Sequence, residues 1–243
     1  MKNIVLLHGW GMNAAVFDEL SQHLAREFRV YALDLPGCGG SETCEPYELD
    51  ELARRISANA PARCQVVGWS LGAQVALSWA RANDRQVETL TLLAATPCFV
   101  TREDWTAGVE PAALEDFERA VATDGRNTLR RFISLQAQGD EAHKRVVQKL
   151  RNAVEACALP AAGVLVEGLR ILASSDLRDL LSAIRQRCLV VHGERDQLVP
   201  IAAAVDLARR LPRARLQVVP GAAHAPFVSD PRALSRLLAE HCR

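Results

Sequence analysis

The sequence predicts an α/β fold with a mostly parallel sheet flanked by helices and with an inserted helical lid. Short apolar runs, bounded by Gly, Pro or charged residues, alternate with longer segments of helical periodicity, as in sheets whose parallel strands are covered on both faces. The alternation stops after residue 97, and helical periodicity continues without convincing strands to about residue 180. We therefore expect a core formed by residues 1–97 and 181–243 and a helical lid formed by residues 98–180, placed over the carboxyl edge of the sheet.

Six runs are rich in apolar and β-branched residues and predict strands. They are Ile4–Leu7, Phe28–Leu33, Cys64–Gly68, Val87–Leu93, Cys188–His192 and Arg215–Val219. Five segments with helical periodicity lie between or after them: Ala14–Glu27, Glu48–Ala60, Leu71–Arg81, Ile201–Leu211 and Pro231–Cys242. Because strand and helix alternate, each pair of strands is joined by a helical crossover, which requires parallel strands.

Composition excludes several classes of protein. The 243 residues carry 29 Lys and Arg against 29 Asp and Glu, and this neutrality argues against a dedicated nucleic-acid or membrane-surface protein. No stretch approaches the roughly 18 apolar residues of a spanning helix, and the apolar start is too short for a signal peptide, so we expect a cytoplasmic protein. The seven scattered cysteines form no C-x-x-C pair, and we expect them to be reduced thiols. No long heptad pattern appears, so we expect a monomer.

The strongest motif is Gly68-Trp69-Ser70-Leu71-Gly72, which matches G-x-S-x-G. It follows a predicted strand and precedes a predicted helix. A nucleophilic serine at such a sharp turn needs glycine on both sides, because side chains there would clash with the neighbouring backbone. The motif therefore predicts Ser70 as a nucleophile; the alternative is an ordinary surface turn.

A serine nucleophile needs a base and an orienting acid, and both follow strands further along the chain. Asp196 comes shortly after the fifth predicted strand and His224 shortly after the sixth, which gives the chain order Ser, Asp, His. Glu194 is the alternative acid. The weaker candidates for the base are His8, His23, His143, His192 and His241.

The loop His8-Gly9-Trp10-Gly11 follows the first strand and can direct backbone N–H groups towards the nucleophile. Acyl transfer needs two such donors for the oxyanion, and we expect them to be the N–H groups of Trp10 and Leu71; an ordinary tight turn is the alternative. The motifs for dinucleotides, for nucleotide phosphates and for zinc proteases do not occur.

Several further stretches extend over nearly the whole chain. They are Leu6 to Asn13, Gly68 to Gly72, Pro97-Cys98-Phe99 with Trp105, Phe132 to Gln136 with Gly139, Gly168-Leu169 with Asp176 to Arg178, and Ala222 to Phe227. With them the chain resembles the α/β-hydrolase superfamily and, within it, the pimeloyl-acyl-carrier-protein methyl ester esterases of biotin synthesis. Members of that family commonly have an additional strand region before the first strand seen here, and its absence should trim one edge of the sheet.

The resemblance implies Ser70 as nucleophile, His224 as general base and acid, and Asp196 as orienting carboxylate. It implies that Trp10 and Leu71 border the oxyanion site and that the stretch from Phe132 to Gln136 lines the acyl pocket. The implied reaction hydrolyses the methyl ester of a pimeloyl chain carried on acyl carrier protein, without a metal or organic cofactor. The alternatives are a general carboxylesterase, a lactonase, a carbon–carbon bond hydrolase, an acyltransferase, and a catalytically silent ligand-binding protein on the same fold.

The implied partner is an acidic carrier protein, so the lid should carry positive charge. Seven basic residues against two acidic ones lie between Arg126 and Arg151, whereas seven acidic residues and one basic residue lie between Glu103 and Asp124. The expected docking residues are Arg126, Arg130, Arg131, Lys144, Arg145 and Lys149. The alternative interpretation is two solvated helix faces.

Overall fold

The computed structural model describes all 243 residues and contains one six-stranded sheet. The strands are β1 (Lys2–Leu7), β2 (Phe28–Leu33), β3 (Cys64–Trp69), β4 (Val87–Leu93), β5 (Arg187–Gly193) and β6 (Ala214–Val219). Their order across the sheet is β2-β1-β3-β4-β5-β6, and every neighbouring pair is parallel. The predicted parallel sheet is confirmed, and the carboxyl ends of all six strands lie at one edge.

Nine α-helices connect and cover the strands. They are α1 (Asp18–Leu24), α2 (Leu49–Asn59), α3 (Leu71–Ala82), α4 (Pro111–Gln136), α5 (His143–Glu155), α6 (Ala162–Ser174), α7 (Ile201–Arg210), α8 (Pro226–Ser229) and α9 (Pro231–His241). Two 3₁₀ segments lie at Ala14–Phe17 and Arg178–Ala183. No helix combines the length and the apolar composition that crossing a membrane requires.

The helix expected over Ala14–Glu27 is shorter and divided. Its first turn is 3₁₀, because the Asn13 side chain accepts a hydrogen bond from the Ala15 N–H two residues away, as at a tight helix start. The α-helical part then ends at Leu24, since the chain must turn at once to enter β2 at Phe28.

The core lies between the sheet and the helices on its two faces. Every residue of β3 is buried, and ten of the twelve residues of α3 are buried as well. The sequences of both elements are therefore mostly apolar along their whole length, without the regular polar positions of a strand or helix that has one face in water. A single hydrophobic cluster of 65 buried residues joins them to the rest of the fold.

Residues 98–180 lie between β4 and β5, and we refer to them as the helical segment. They contain α4, α5 and α6, and their only extended pairings are isolated bridges such as Cys98 with Asp176. Helix α4 is kinked at Asp124, which has non-helical backbone angles, and the Asp124 carboxylate accepts a hydrogen bond from the N–H of Asn127. Asp124 therefore caps the second half of α4 as if a new helix began there.

We expect iodoacetamide at about pH 8 to alkylate the folded chain rapidly at Cys157 alone. Six of the seven cysteines are buried and Cys157 is exposed. Burial also raises the pKa of Cys38, Cys64 and Cys188 to about 12, so these thiols stay protonated and unreactive. Mass spectrometry after timed labelling would measure the sites, with Cys157→Ser as the control. Rapid labelling of a second cysteine in folded protein would contradict the packing described above.

Candidate active site

Ser70 occupies the turn between β3 and α3, and its backbone is strained. It has φ 54° and ψ −117°, a conformation that costs a residue with a side chain about 1–3 kcal/mol. Hydrogen bonds hold it there, because the Ser70 N–H donates to the Leu93 carbonyl at 3.0 Å and the Ser70 carbonyl accepts from Ala73 N–H at 2.9 Å. The turn places the side chain of Ser70 at the carboxyl edge of the sheet.

The two glycines of the motif are required by close backbone approach. A side chain at Gly68 would overlap the carbonyl of Gly72 and the Cα of Ala73, and one at Gly72 would overlap the carbonyl oxygens of Leu7 and His8. The clash that the motif predicts at its flanking positions is therefore present on both sides of Ser70.

The structure brings Asp196 and His224 together in the loops after β5 and β6. His224 Nδ1 lies 2.8 Å from Asp196 Oδ2, and both side chains are buried. The other carboxylate oxygen, Oδ1, accepts the N–H groups of Leu198 and Val199 at 2.9 and 3.0 Å. Although burial opposes ionisation, the pairing with His224, together with His192 and the Val199 N–H, outweighs it and lowers the pKa of Asp196 below its usual range. An ionised Asp196 can only accept, so Nδ1 of His224 donates the hydrogen bond between them, and in the neutral imidazole Nε2 is the nitrogen with the lone pair.

The alternative acid, Glu194, lies elsewhere in the same turn. Its Oε2 accepts a hydrogen bond from the Gly221 N–H at 3.1 Å, and it makes no hydrogen bond to His224. Of the two acids considered from the sequence, Asp196 is the one that contacts the imidazole.

Two of the other histidines are buried beside the site. His8 accepts the Leu35 N–H at Nε2 (3.0 Å), so its Nδ1 carries the proton and donates to the Gly9 carbonyl at 2.9 Å. His192 Nε2 lies 2.9 Å from the Val199 carbonyl and 3.5 Å from Asp196 Oδ2. Sequence reasoning did not connect His192 with the acid, although their spacing of four residues around one tight turn could have indicated it.

The structure contains no direct hydrogen bond between Ser70 Oγ and the His224 imidazole, whose Nδ1 is bonded to Asp196. Trp69, the residue before Ser70, bridges the two: its indole N–H donates to the His224 carbonyl at 2.8 Å, and its ring centroid lies 5.8 Å from that of His224. Catalytic hydrogen bonds are often long in unliganded enzymes and tighten when substrate binds.

The two expected oxyanion donors flank Ser70. Gly9 packs directly against it, since a Cβ at Gly9 would lie 3.2 Å from the Cβ of Ser70. The Gly9 carbonyl accepts from His8 Nδ1 and from Met12 N–H, which fixes the plane of the Gly9–Trp10 peptide and turns the Trp10 N–H away from those partners. That N–H makes no hydrogen bond within the chain. Leu71 supplies the first N–H of α3, where helices lack internal partners.

Aromatic rings from the helical segment meet the oxyanion loop. Phe132 and Phe117 pack edge-on against the Trp10 ring at centroid distances of 5.1 and 5.4 Å, and the Trp10 indole N–H donates to the Leu165 carbonyl at 2.8 Å. Sequence reasoning missed Phe117. Phe117 and Phe132 lie on opposite sides of the α4 kink, so no helical spacing relates them.

Gln136, also expected in the acyl pocket, ends α4 beside the histidine loop. Its carbonyl accepts the His224 backbone N–H at 3.1 Å. Its side chain is 1% exposed, and the amide nitrogen has no partner within the chain. A buried donor without a partner costs about 1–3 kcal/mol.

Comparison with known proteins agrees with this geometry. The alpha/beta hydrolase fold family matches residues 2–231, and the chain belongs to that family. Within it, the chain is 42% identical to a pimeloyl-[acyl-carrier protein] methyl ester esterase from Nitrosomonas europaea, over 94% of this chain and 91% of the relative. It is 40% identical to the enzyme of the same name from Cronobacter sakazakii, over 95% of this chain and 88% of the relative.

Solved structures show the same fold at lower sequence identity. An esterase from Exiguobacterium antarcticum superposes with a TM-score of 0.89 and 22% identity, over 99% of this chain and 91% of that one. The enol-lactonase from Burkholderia xenovorans superposes with a TM-score of 0.85 and 19% identity, over 99% of this chain and 91% of that one.

We expect the free energy of unfolding to fall when the pH is lowered from about 7.5 to about 5.5. Burial lowers the pKa of His8 and of His192 below the ordinary value of 6.5. In this range the unfolded chain binds protons at both imidazoles and the folded chain does not, so stability is lost as the pH falls below about 6.5. Each histidine adds a slope of up to about 1.4 kcal/mol per pH unit.

Urea denaturation at the two pH values measures this effect. His192→Gln should lower the slope, because glutamine does not titrate. A urea midpoint that stays constant or rises towards the lower pH would show that His8 and His192 do not control stability in this range.

Proposed function

We propose that the protein is a serine carboxylesterase that hydrolyses the methyl ester of pimeloyl-acyl-carrier protein, giving pimeloyl-acyl-carrier protein and methanol in biotin synthesis. The observation that carries the chemistry is the buried Asp196–His224 hydrogen bond of 2.8 Å at the sheet edge where the strained turn presents Ser70. Identity of about 40% with methyl ester esterases over nearly the whole chain supports the choice of substrate.

The proposed mechanism follows from the hydrogen bond between His224 Nδ1 and Asp196, which leaves Nε2 of the neutral imidazole as the proton acceptor. Its Nε2 lone pair accepts the Ser70 proton while Oγ attacks the ester carbonyl, and Asp196 stabilises the imidazolium that forms. The N–H groups of Trp10 and Leu71 bind the oxyanion. The intermediate collapses with cleavage of the acyl–oxygen bond, and methanol leaves with the proton from His224. Water then repeats the same steps on the acyl-enzyme and frees the carboxylate and Ser70.

The rings of Trp10, Phe117 and Phe132 pack against one another beside the oxyanion loop. We propose that this aromatic cluster borders the acyl pocket, because its apolar surface suits the methylene chain of the substrate. We propose, as the resemblance implies, that Gln136 borders the acyl pocket from the end of α4, where its carbonyl accepts the His224 backbone N–H. We further propose that the helical segment of residues 98–180 acts as a lid over a core of residues 1–97 and 181–243.

The substrate carries a second reactive group, the thioester that joins it to the carrier, and this bond must survive. If the carrier protein docks outside the helical segment, the acyl chain enters with its far end first and presents the methyl ester to Ser70. Geometry then selects the bond that is cleaved, because a near-attack distance of about 3–3.5 Å is reached only at the ester.

The six expected docking residues differ in whether they form ion pairs within the chain. Arg145 and Lys149 both pair with Glu19 of the core, at 2.6 and 3.1 Å, so part of their charge is neutralised. Arg126 and Arg130 form no ion pair within the chain and, with Arg151, line a cavity of about 210 Å³. We therefore propose that Arg126, Arg130 and Arg151 form the centre of the docking surface. Arg131 and Lys144 are also exposed and form no ion pair within the chain, so they remain candidate docking residues.

We also propose that the protein acts as a monomer in the cytoplasm. Ser70, Asp196 and His224 all come from one chain, so a monomer contains the complete set of catalytic side chains. All seven cysteines are free thiols, as suits a reducing compartment.

We expect Ser70→Ala to lower methyl ester hydrolysis by at least about 10³-fold, because the covalent route is lost. The variant should fold normally, since alanine removes only the hydroxyl. Methanol release from the carrier-bound methyl ester measures the reaction, and a fluorophosphonate probe should label the wild type but not the variant. Substantial methanol release by a folded, unlabelled variant would refute the assignment of Ser70.

We expect a triple change of Arg126, Arg130 and Arg151 to Glu to lower kcat/KM for the carrier-bound substrate about tenfold or more at low salt, because an acidic partner would be repelled. Hydrolysis of free dimethyl pimelate should be unchanged. The matched control is the same change at Arg85, Arg185 and Arg213, which alters the net charge equally at the opposite end of the sheet. Equal losses on the two substrates, or equal effects of the two triple variants, would refute the docking surface.

The same assay separates the proposed substrate from its alternatives. A strong preference for the carrier-bound methyl ester, with the thioester intact, supports the proposal. Equal or better use of free dimethyl pimelate or of a short aryl ester would instead identify a general carboxylesterase that uses the same residues.

A further inference from the structure

A buried carboxylate outside the catalytic set lies between the helical segment and the histidine loop. Asp140 is 6% exposed and sits in the short connection between α4 and α5. Its Oδ2 accepts hydrogen bonds from the Ala223 N–H at 2.8 Å and from the Ser229 hydroxyl at 2.6 Å, and its Oδ1 accepts from the Ala142 N–H at 2.7 Å. Two of these donors therefore belong to the loop and short helix on either side of His224.

No cation compensates this carboxylate, since no Lys, Arg or His side chain forms an ion pair with it. Burying a carboxylate is costly unless hydrogen bonds replace its hydration. Here the replacement consists of two backbone N–H groups and one hydroxyl, together with the positive end of α5, which begins at His143. The donors on the His224 side are thus held by a charged acceptor, and such hydrogen bonds are stronger than neutral ones.

Backbone hydrogen bonds extend the same contact on both sides of Asp140. The Gln136 carbonyl accepts the His224 N–H at 3.1 Å, and the Glu141 N–H donates to the Gly221 carbonyl at 2.9 Å. The connection from residue 136 to 141 therefore runs along the loop from residue 221 to 224. Ala223, which Asp140 holds, directly precedes the proposed base.

We propose that Asp140 is a positioning residue that fixes the loop carrying His224. Because Asp140 belongs to the helical segment, the position of the base then depends on how that segment packs against the histidine loop. This inference rests on the proposed function for the role of His224. Asp196 orients the imidazole through Nδ1. Asp140 instead fixes the position of the backbone that carries the imidazole, because it binds the N–H of Ala223. A displacement of about 1 Å at a reacting group can cost about 100-fold in rate, so a loosened loop would act on kcat.

The principal variant is Asp140→Asn, which keeps the size of the side chain and removes its charge. An asparagine must turn its NH₂ group towards one of the donors, so at least one of the three hydrogen bonds is lost. The matched control is Asp116→Asn, the same change on an exposed carboxylate of α4 that pairs with Arg119 on its own helix. Ser229→Ala is a milder second variant, because it removes one donor and leaves the carboxylate in place.

Two readouts separate positioning from mere stability. The first is kcat and KM on a short aryl ester, normalised to the amount of folded protein. We expect Asp140→Asn to lower kcat about tenfold or more, with KM little changed, and Ser229→Ala to lower it several-fold. The second is the NMR signal of the His224 Nδ1 proton, which should shift or broaden in both variants and stay constant in Asp116→Asn.

Each outcome decides the proposal. Folded Asp140→Asn with wild-type kcat and an unchanged His224 signal would overturn it. If Asp140→Asn does not fold, Ser229→Ala decides alone: an unchanged kcat and signal there would also overturn it. Failure of the proposed function is distinguishable, because a wild-type chain that a fluorophosphonate does not label would refute the serine hydrolase while the His224 signal still tests the contact with Asp140.

Discussion

At Gly72 the backbone of α3 lies directly against the carbonyl oxygens of Leu7, which ends β1, and of His8, which follows it. The same helix lies against β3, the strand that precedes Ser70, at Gly68. Side chains are excluded at both positions, so helix and sheet approach more closely here than ordinary packing allows. This contact holds Ser70 in its strained conformation and brings the first N–H of α3 beside the oxyanion loop. The candidate nucleophile and both candidate donors depend on it.

Much of the fold could be predicted from the sequence because its signals are local. The strands β2 and β4 have the predicted bounds, and the other four differ at their ends by one or two residues. A buried parallel strand is a short apolar run between breakers, and that pattern needs no knowledge of distant residues. The motif around Ser70 and the chain order of Asp196 and His224 can likewise be recognised from the sequence alone.

The remainder depends on contacts between residues far apart in the chain. Glu19 neutralises part of the charge of Arg145 and Lys149, and no local pattern relates a core helix to a residue more than a hundred positions later. The contact of Asp140 with Ala223 and Ser229 is of the same kind. A buried aspartate between two helices reads in sequence as an ordinary turn residue, and only the fold shows that it holds the loop of the base.

The kink at Asp124 divides α4 at the point where the sign of its charges changes. Acidic side chains dominate before the kink, and Arg126, Arg130 and Arg131 follow it, in a chain whose formal net charge is zero. The monopole attraction for a charged partner is therefore absent, whereas α4 itself carries a charge separation along its length. Such an arrangement exerts a torque on an acidic partner within about one Debye length, roughly 8–10 Å at physiological salt, and orients the partner more than it attracts it.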